Sequence, residues 1–201
     1  MAESAQHRIF VLRHGETEWS STGRHTGRTD VPLTGRGERL ARAAGKTLAD
    51  LRGDAPATVL ASPRQRARRT AELAGLVPAT EPLLAEWDYG DYEGRTTPEI
   101  RESVPEWTVW THPCPGGESA AEVTARADEL IARITAEPHR TDVVLSGHGH
   151  FSRVLIARWL GLPGTEGVRF ALDPAGITVL GHERGVPQLE RSNVPAPQDA
   201  R

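Results

Sequence analysis

The sequence predicts an α/β fold of three layers, α/β/α, with a mostly parallel central sheet flanked by helices. Three observations predict it. Short apolar runs of strand length alternate with segments of helical period. The 201-residue chain is 37% hydrophobic and 25% charged, enough to bury a core and unlike a disordered composition. Three of the apolar runs stop in polar clusters, where ligands bind beyond the carboxyl ends of parallel strands.

The elements follow in chain order. Residues 8–12, RIFVL, form the first strand and end at Arg13-His14-Gly15. GETEW then reads as a helix start, whose amides favour an anion. Leu40, Ala44, Leu48 and Leu51 share one face of the next helix. Residues 57–62, ATVLAS, form a second strand. Ser62-Pro63 reads as an N-cap followed by proline at the first helical position, opening a helix through Ala74. Thr97-Pro98 repeats that signature. Ser119 to Glu122 is a capping box. It is followed by Val123, Ala127, Leu130, Ile131 and Ile134 on one face, with Pro138 ending the run. DVVLSGHG at 142–149 contains the third strand. Phe151 to Leu160 is a buried helix closed by Gly161 and Pro163. GITVLGH at 176–182 is a fourth strand, VPQLERS an edge strand, and NVPAPQDAR a frayed tail over 193–201. No internal repeat or low-complexity linker interrupts the chain, so residues 1–201 read as one domain.

Composition narrows the function classes. The formal net charge of −3 gives no general pull toward nucleic acid or an anionic membrane. No apolar run approaches the length of a membrane span, and the N-terminus lacks a signal-peptide core. A single cysteine, Cys114, excludes an internal disulfide and fits the reducing cytoplasm. It is assigned no role.

Three polar clusters, RHG, SPR and GHG, follow three strands and converge on one rim. Gly15 beside His14 lets a ligand approach the backbone. Arg13 and Arg64 offer rigid forks of donors suited to phosphate oxygens. His148 lies between two glycines, and Glu86 sits in a glycine-rich aromatic loop. Together these five side chains suit phosphoryl transfer. An imidazole can attack phosphorus in line. Cations stabilise the equatorial oxygens. A carboxylic acid protonates the leaving alkoxide, and the carboxylate then activates water. The chemistry needs no cofactor, because the arginines supply the positive field.

Simpler interpretations compete residue by residue. A lone strand-end histidine is more often structural. His148 and His150 form a bare H-x-H without further metal ligands at suitable spacing, so no metal is expected. Arg66, Arg68 and Arg69 read as a solvated helix face, given Glu72 after them. Ser146 near His148 resembles a hydrolase elbow, but Val144 stands where that motif needs glycine. Trp107 and Trp110 suit packing as well as substrate contact.

The order of the clusters resembles the histidine phosphatase superfamily, in its phosphoglycerate-mutase-like branch. LRHGETEW, TGRTDVPLTGRG, ASPRQRARRTAE, EWDYGDYEG and SGHGHFSRVL match its motifs in sequence. The chain looks most like broad-specificity acid phosphatases and sedoheptulose-bisphosphatase-type members. The resemblance implies that His14 is phosphorylated, that Arg13, Arg64 and His148 grip the phosphoryl group, and that Glu86 is the acid/base. It places Thr26, Gly27, Gly149 and Tyr89 beside substrate. Ser20 and His150 stand where many mutases carry asparagine. Ser20 keeps a donor for phosphate, and His150 suits a second anionic group or a sugar hydroxyl.

The resemblance further implies a small phosphorylated metabolite as substrate, no metal or cofactor, and relatives that are often homodimers. Two alternatives are phosphoglycerate mutase and a phospho-ligand-binding regulator without catalysis. The span from Tyr92 to Ser119 has no lysine and no arginine pair to retain a bisphosphate intermediate, which favours hydrolysis. Pure binding would need neither a nucleophile nor Glu86.

Overall fold

The computed structural model describes residues 7–53, 55–136 and 141–197. Its centre is a six-stranded sheet of order β3-β2-β4-β1-β5-β6. The strands are β1 (Ile9–Arg13), β2 (Ala57–Ala61), β3 (Ala79–Thr80), β4 (Asp142–Gly147), β5 (Ile177–Glu183) and β6 (Val186–Val194). β1 and β2 both run parallel to β4, and β3 runs parallel to β2. β5 and β6 extend the sheet antiparallel. The centres of β1 and β4, Ile9 to Leu12 and Val143 to Leu145, are apolar because both of their faces are covered.

The period of two along β1 sorts its side chains between layers. Ile9 and Val11 join Val143, Leu145 and the apolar faces of α5 (Ala120–Thr135) and α6 (Gly149–Trp159). Phe10 and Leu12 join Val144, Ile177, Val179 and the Ala43, Ala44 and Leu48 face of α2 (Gly35–Arg52). α3 (Gln65–Leu73) packs against α2, where a Cβ on Gly45 would meet Ala74 O at 2.6 Å. No helix among the described residues is long and apolar enough to cross a membrane.

Several element boundaries differ from expectation for local reasons. Ser62 does not cap α3. Arg64 is its N-cap residue, and the Ser62 hydroxyl is taken by His148. Thr96, one residue before the expected Thr97, caps α4 (Thr97–Arg101) in a capping box with Glu99. The Ser119–Glu122 capping box forms as expected. The helix after His14 is a single turn, α1 (Glu18–Ser21). Thr17 Oγ1 accepts its Ser20 N–H and Ser20 Oγ accepts the Thr17 N–H, so this turn is capped by its own side chains. Gly161, at φ 73°, ends α6 with a backbone conformation that suits glycine. Asn193 and Val194, expected to fray, belong to β6, and Asn193 bonds Asp173 through its amide. Pro138 lies outside the described residues.

Candidate active site

The parallel register brings the carboxyl ends of β1, β2 and β4 level. Arg13 pairs with Gly147 and Ala61 with Ser146, so the residues just past each strand meet. His14 and His148 lie edge to face, with ring centroids 5.3 Å apart.

His14 is 5% exposed. Its Nδ1 lies 2.7 Å from Gly15 O, which can only accept, so Nδ1 carries the proton and Nε2 keeps its lone pair. Burial first, then the charges of Arg13 and Arg66, push its pKa well below the usual histidine range. The ring is therefore neutral and held in one orientation. Gly15 serves packing rather than ligand approach: a Cβ there would stand 2.4 Å from Gly37 O. Its N–H donates to Thr70 Oγ1 at 2.9 Å.

His148 is completely buried, and both ring nitrogens have partners. Arg66 Nε donates to Nδ1 at 3.2 Å, leaving Nε2 to donate to Ser62 Oγ at 2.7 Å. Burial and then Arg66 push its pKa well below the ordinary value. Arg66 is 0% exposed, which corrects the expectation of a solvated helix face for this residue. Its Nη1 donates to Thr29 O and its Nη2 to Thr26 O and Gly27 O. Glu93 takes the N–H groups of Gly27 and Thr29. One arginine and one carboxylate thus clamp the 26–29 loop from its carbonyl and its amide sides. The signal was available in part: Arg66 and Thr70 are four residues apart, on the helix face that also carries buried Ala67 and Ala71.

Glu86 is fixed by three backbone donors. Oε1 accepts from Trp87 N at 2.8 Å and Phe151 N at 2.7 Å, and Oε2 accepts from His150 N at 3.0 Å. Two of these amides belong to the first turn of α6, whose dipole favours a carboxylate. The anion-favouring helix terminus of the site is thus that of α6, not that of the turn after His14. The Glu86 loop is held from behind by Arg126, which donates to Leu83 O, Ala85 O and Glu86 O. Nothing in the sequence pattern singled out Arg126.

These groups open into a cavity of about 290 Å³. Arg13, His14, Glu86 and Gly149 line one part. A Cβ on Gly149 would sit 3.6 Å from the Arg13 guanidinium and 3.7 Å from Glu86 Oε2, so its absence keeps open the space between them. Arg13 Nη1 is anchored on Leu172 O, while its Nε is buried without an acceptor. The remaining wall includes Ser20, Arg24, His25, Thr26, Tyr89, His150 and Arg153. Tyr89 OH lies 2.7 Å from His150 Nδ1. Burial holds the His150 ring well below its usual pKa and the Tyr89 phenol well above its own, so both are neutral. His25, which the sequence reading missed, packs against Tyr89 and Trp107, and burial lowers its pKa to about 4.

The profile of the histidine phosphatase superfamily (branch 1) matches residues 9–195. The chain belongs to this superfamily. It is 54% identical over 184 residues to an acid phosphatase of Mycobacterium tuberculosis, covering 91% of this chain and 90% of that one. It is 34% identical over 184 residues to sedoheptulose 1,7-bisphosphatase of Saccharomyces cerevisiae, covering 77% and 68% of the two chains. A solved structure of an open reading frame of Mycobacterium tuberculosis superposes with TM-score 0.91 at 50% identity, covering 95% of this chain and 99% of that one.

This histidine phosphatase brings together most of the residues expected at its site. Arg13, His14, Ser20, Thr26, Glu86, Tyr89, Gly149 and His150 line the cavity, with His148 behind His14. Arg64 departs from its expected place. It is a half-buried N-cap residue whose Nε has no acceptor, and the arginine bonded to His148 is Arg66. Gly27 does not line the cavity; its N–H is spent on Glu93 and its carbonyl on Arg66. A Cβ on Gly27 would meet Trp87 O at 2.6 Å, so packing dictates that glycine. The Ser20 hydroxyl donates to Thr17 O, which occupies the proton expected for phosphate. Trp107 and Trp110 are buried; Trp110 supports His150 and Arg153 from beneath. Cys114 is buried, with its thiol pKa pushed up to about 12 by burial, and its role is packing.

Proposed function

We propose that this histidine phosphatase is a metal-independent phosphomonoesterase that hydrolyses small phosphorylated metabolites through a phosphohistidine on His14. The observation that carries the reading is His14 itself: buried, neutral, with Nδ1 tied to Gly15 O and Nε2 free beside Arg13 and Glu86. Nε2 attacks phosphorus as the bond to the leaving oxygen breaks. The Nδ1–H stays on Gly15 O, which steadies the positive charge the ring acquires. Arg13 and Arg66 favour the charge on the phosphoryl oxygens. His148 contributes its Nε2–H by exchanging Ser62 Oγ for a phosphoryl oxygen. Glu86 gives a proton to the leaving alkoxide. It then takes one from the water that opens the phosphohistidine.

The cavity volume lies near the lower end of ligand pockets, roughly 300–1,000 Å³, which supports a small metabolite over a protein or a nucleic acid. Relatives named acid phosphatase and bisphosphatase support hydrolysis of phosphate esters. The absence of an arginine pair or lysine between Tyr92 and Ser119 favours hydrolysis over mutase chemistry.

Rapid quench with labelled substrate tests the reading. Acid-labile phosphate should appear on His14, vanish in His14→Ala, and form equally well in excess EDTA. Orthovanadate should inhibit. Label on His148 or serine, or activity lost in EDTA and restored by a divalent ion, refutes it. Faster formation of 2-phosphoglycerate than of free phosphate from 3-phosphoglycerate would restore the mutase alternative.

A further inference from the structure

Glu86 lies in a stretch that no strand or helix fixes. Residues 85–89 connect two short 3-10 turns, Pro82–Leu84 and Gly90–Tyr92. Their path is set instead by two side chains outside the cavity lining, Arg126 on α5 and Glu118 just before that helix. Arg126 uses all five of its N–H groups. Nε donates to Glu118 Oε1 at 2.9 Å and Nη2 to Glu118 Oε2 at 2.8 Å. Nη1 donates to Leu83 O at 2.9 Å and to Ala85 O at 2.6 Å, and Nη2 also to Glu86 O at 3.4 Å. Glu118 ties the residues on the other side of the acid. Its Oε2 accepts the Asp88 N–H at 2.9 Å, and its carbonyl accepts the Trp87 indole N–H at 2.8 Å. Its own N–H donates to Asp88 O at 2.9 Å.

The pair is mostly buried, with side-chain exposures of 15% for Arg126 and 24% for Glu118, so water does not readily replace it. The Ser119–Glu122 capping box fixes where α5 begins, and with it the spacing of Glu118 from Arg126. The Arg126 guanidinium also lies over the Phe151 ring, 4.4 Å from its centroid. The N–H groups of His150 and Phe151 are first-turn amides of α6, which have no carbonyl partner within their own helix. They donate to the Glu86 carboxylate instead. Arg126 therefore touches both the segment that carries Glu86 and a residue whose amide receives it.

We propose that Arg126 and Glu118 are positioning residues for Glu86: they brace its loop so that the carboxyl group stays on the α6 amides, beside the gap left by Gly149. The brace serves the step in which Glu86 gives its proton to the ester oxygen, while the phosphorus–oxygen bond breaks and the bond from His14 Nε2 to phosphorus forms. A displacement of about 1 Å at a reacting group can cost on the order of a hundredfold in rate. Loss of the brace should therefore be felt most where the leaving group needs that proton. The role rests on the phosphatase reading above, and the test separates the two.

Single-turnover phosphorylation is followed by rapid quench with glycerol 3-phosphate, whose alkoxide needs a proton, and with p-nitrophenyl phosphate, whose phenolate leaves without one. The proteins are wild type, Arg126→Met, Arg126→Lys, Glu86→Gln and the double variant Arg126→Met/Glu86→Gln. Arg126→Met should slow phosphorylation by glycerol 3-phosphate at least about tenfold more than by p-nitrophenyl phosphate, a part of the roughly 10²–10⁴-fold that a general acid contributes. In the Glu86→Gln background the same change should cost less than about threefold with either ester, because Arg126 acts through Glu86. Arg126→Lys keeps the charge but loses the fork, and its selective loss should be intermediate. Should Arg126→Met melt much earlier than wild type, Arg126→Lys decides, with a selective loss of at least about threefold. Amide hydrogen exchange reads the brace without turnover: the N–H groups of Trp87, His150 and Phe151 should exchange about tenfold faster or more in Arg126→Met, relative to Val144 in β4. Equal losses with both esters, an undiminished Arg126 effect in Glu86→Gln, or unchanged exchange at the three amides overturns the proposal. Faster exchange there, with no phosphohistidine formed by the wild type from either ester, sustains the brace and refutes the phosphatase reading.

Discussion

Replacing Arg66 with alanine tests how far one buried arginine organises this site. The side chain is fully buried and serves four acceptors: His148 Nδ1, Thr29 O, Thr26 O and Gly27 O. An acceptor left buried and unsatisfied costs about 1–3 kcal/mol. His148 Nδ1 and Gly27 O have little access to water, whereas Thr26 O and Thr29 O lie in partly buried contacts that solvent can refill. The expected loss of stability is therefore about 3–5 kcal/mol, between the cost of two orphaned acceptors and that of four. With a urea m-value near the upper end of the roughly 1–3 kcal/mol/M range, as suits a chain of this size, the midpoint should fall by on the order of 1–2 M. Equilibrium urea unfolding, followed by fluorescence and circular dichroism together, measures it. Arg68→Ala on the exposed side of the same helix is the control and should stay within about 0.5 kcal/mol of wild type. In refolded Arg66→Ala, kcat/KM should also drop by about a hundredfold or more, because His148 loses its tautomer and the 26–29 loop its carbonyl anchor. If Arg66→Ala behaves like Arg68→Ala in unfolding, the clamp described here is wrong.

Three further outcomes follow from the geometry. Gly149→Ala has ordinary room for its methyl group and should unfold within about 1 kcal/mol of wild type, yet lose about tenfold or more in kcat/KM by filling the space between Arg13 and Glu86; unchanged kinetics would move the reacting group elsewhere. His25 has its pKa lowered to about 4, so the unfolded state binds the proton more tightly and stability falls as pH drops from about 6.5 toward 4. His25→Phe should spare about 2 kcal/mol of that loss at pH 5, read from urea unfolding at pH 7.5 and 5; parallel losses in both proteins would contradict it. Because burial holds His14 neutral well below the usual histidine range, single-turnover phosphorylation should keep its nucleophile on the acid side of pH 6.5. An acid limb near 6.5 that follows His14 protonation, seen by NMR, would refute the assignment.

The strands were legible because β1, β2, β4 and β5 are short apolar runs with sharp polar ends, and burial on both faces demands such runs. The convergence of His14 and His148 was legible for the same reason, since each directly follows a strand, whereas Glu86 was legible only as an acid in a glycine-rich aromatic loop. Arg66 was not. Its charge suggested solvent, and the acceptors that satisfy it are backbone carbonyls at 26–29 and a histidine 82 residues away, which no local pattern displays. The glycine at position 15 was read as an opening for ligand, but its reason is the backbone of Gly37, again a distant contact. β3 is only two residues long and carries no periodicity to detect. The caps of α3 and α4 were misplaced by one or two residues because Ser62 and Thr97 turn their hydroxyls to His148 and His25.

The position of β1 has a consequence for how the chain is made. Both of its neighbours in the sheet, β4 and β5, are encoded far downstream. During synthesis, Ile9 to Leu12 leave the ribosome as an apolar segment with no strand to pair with until Asp142 follows. At typical elongation rates that wait is on the order of ten seconds. His14 is thus made well before His148, the histidine its ring packs against, which follows 134 residues later. A shortened product that stops before β4 would carry His14 and Arg13 intact and still have neither a central sheet nor a phosphoryl pocket. Its sticky first strand makes it a substrate for chaperones and proteases rather than a partial enzyme.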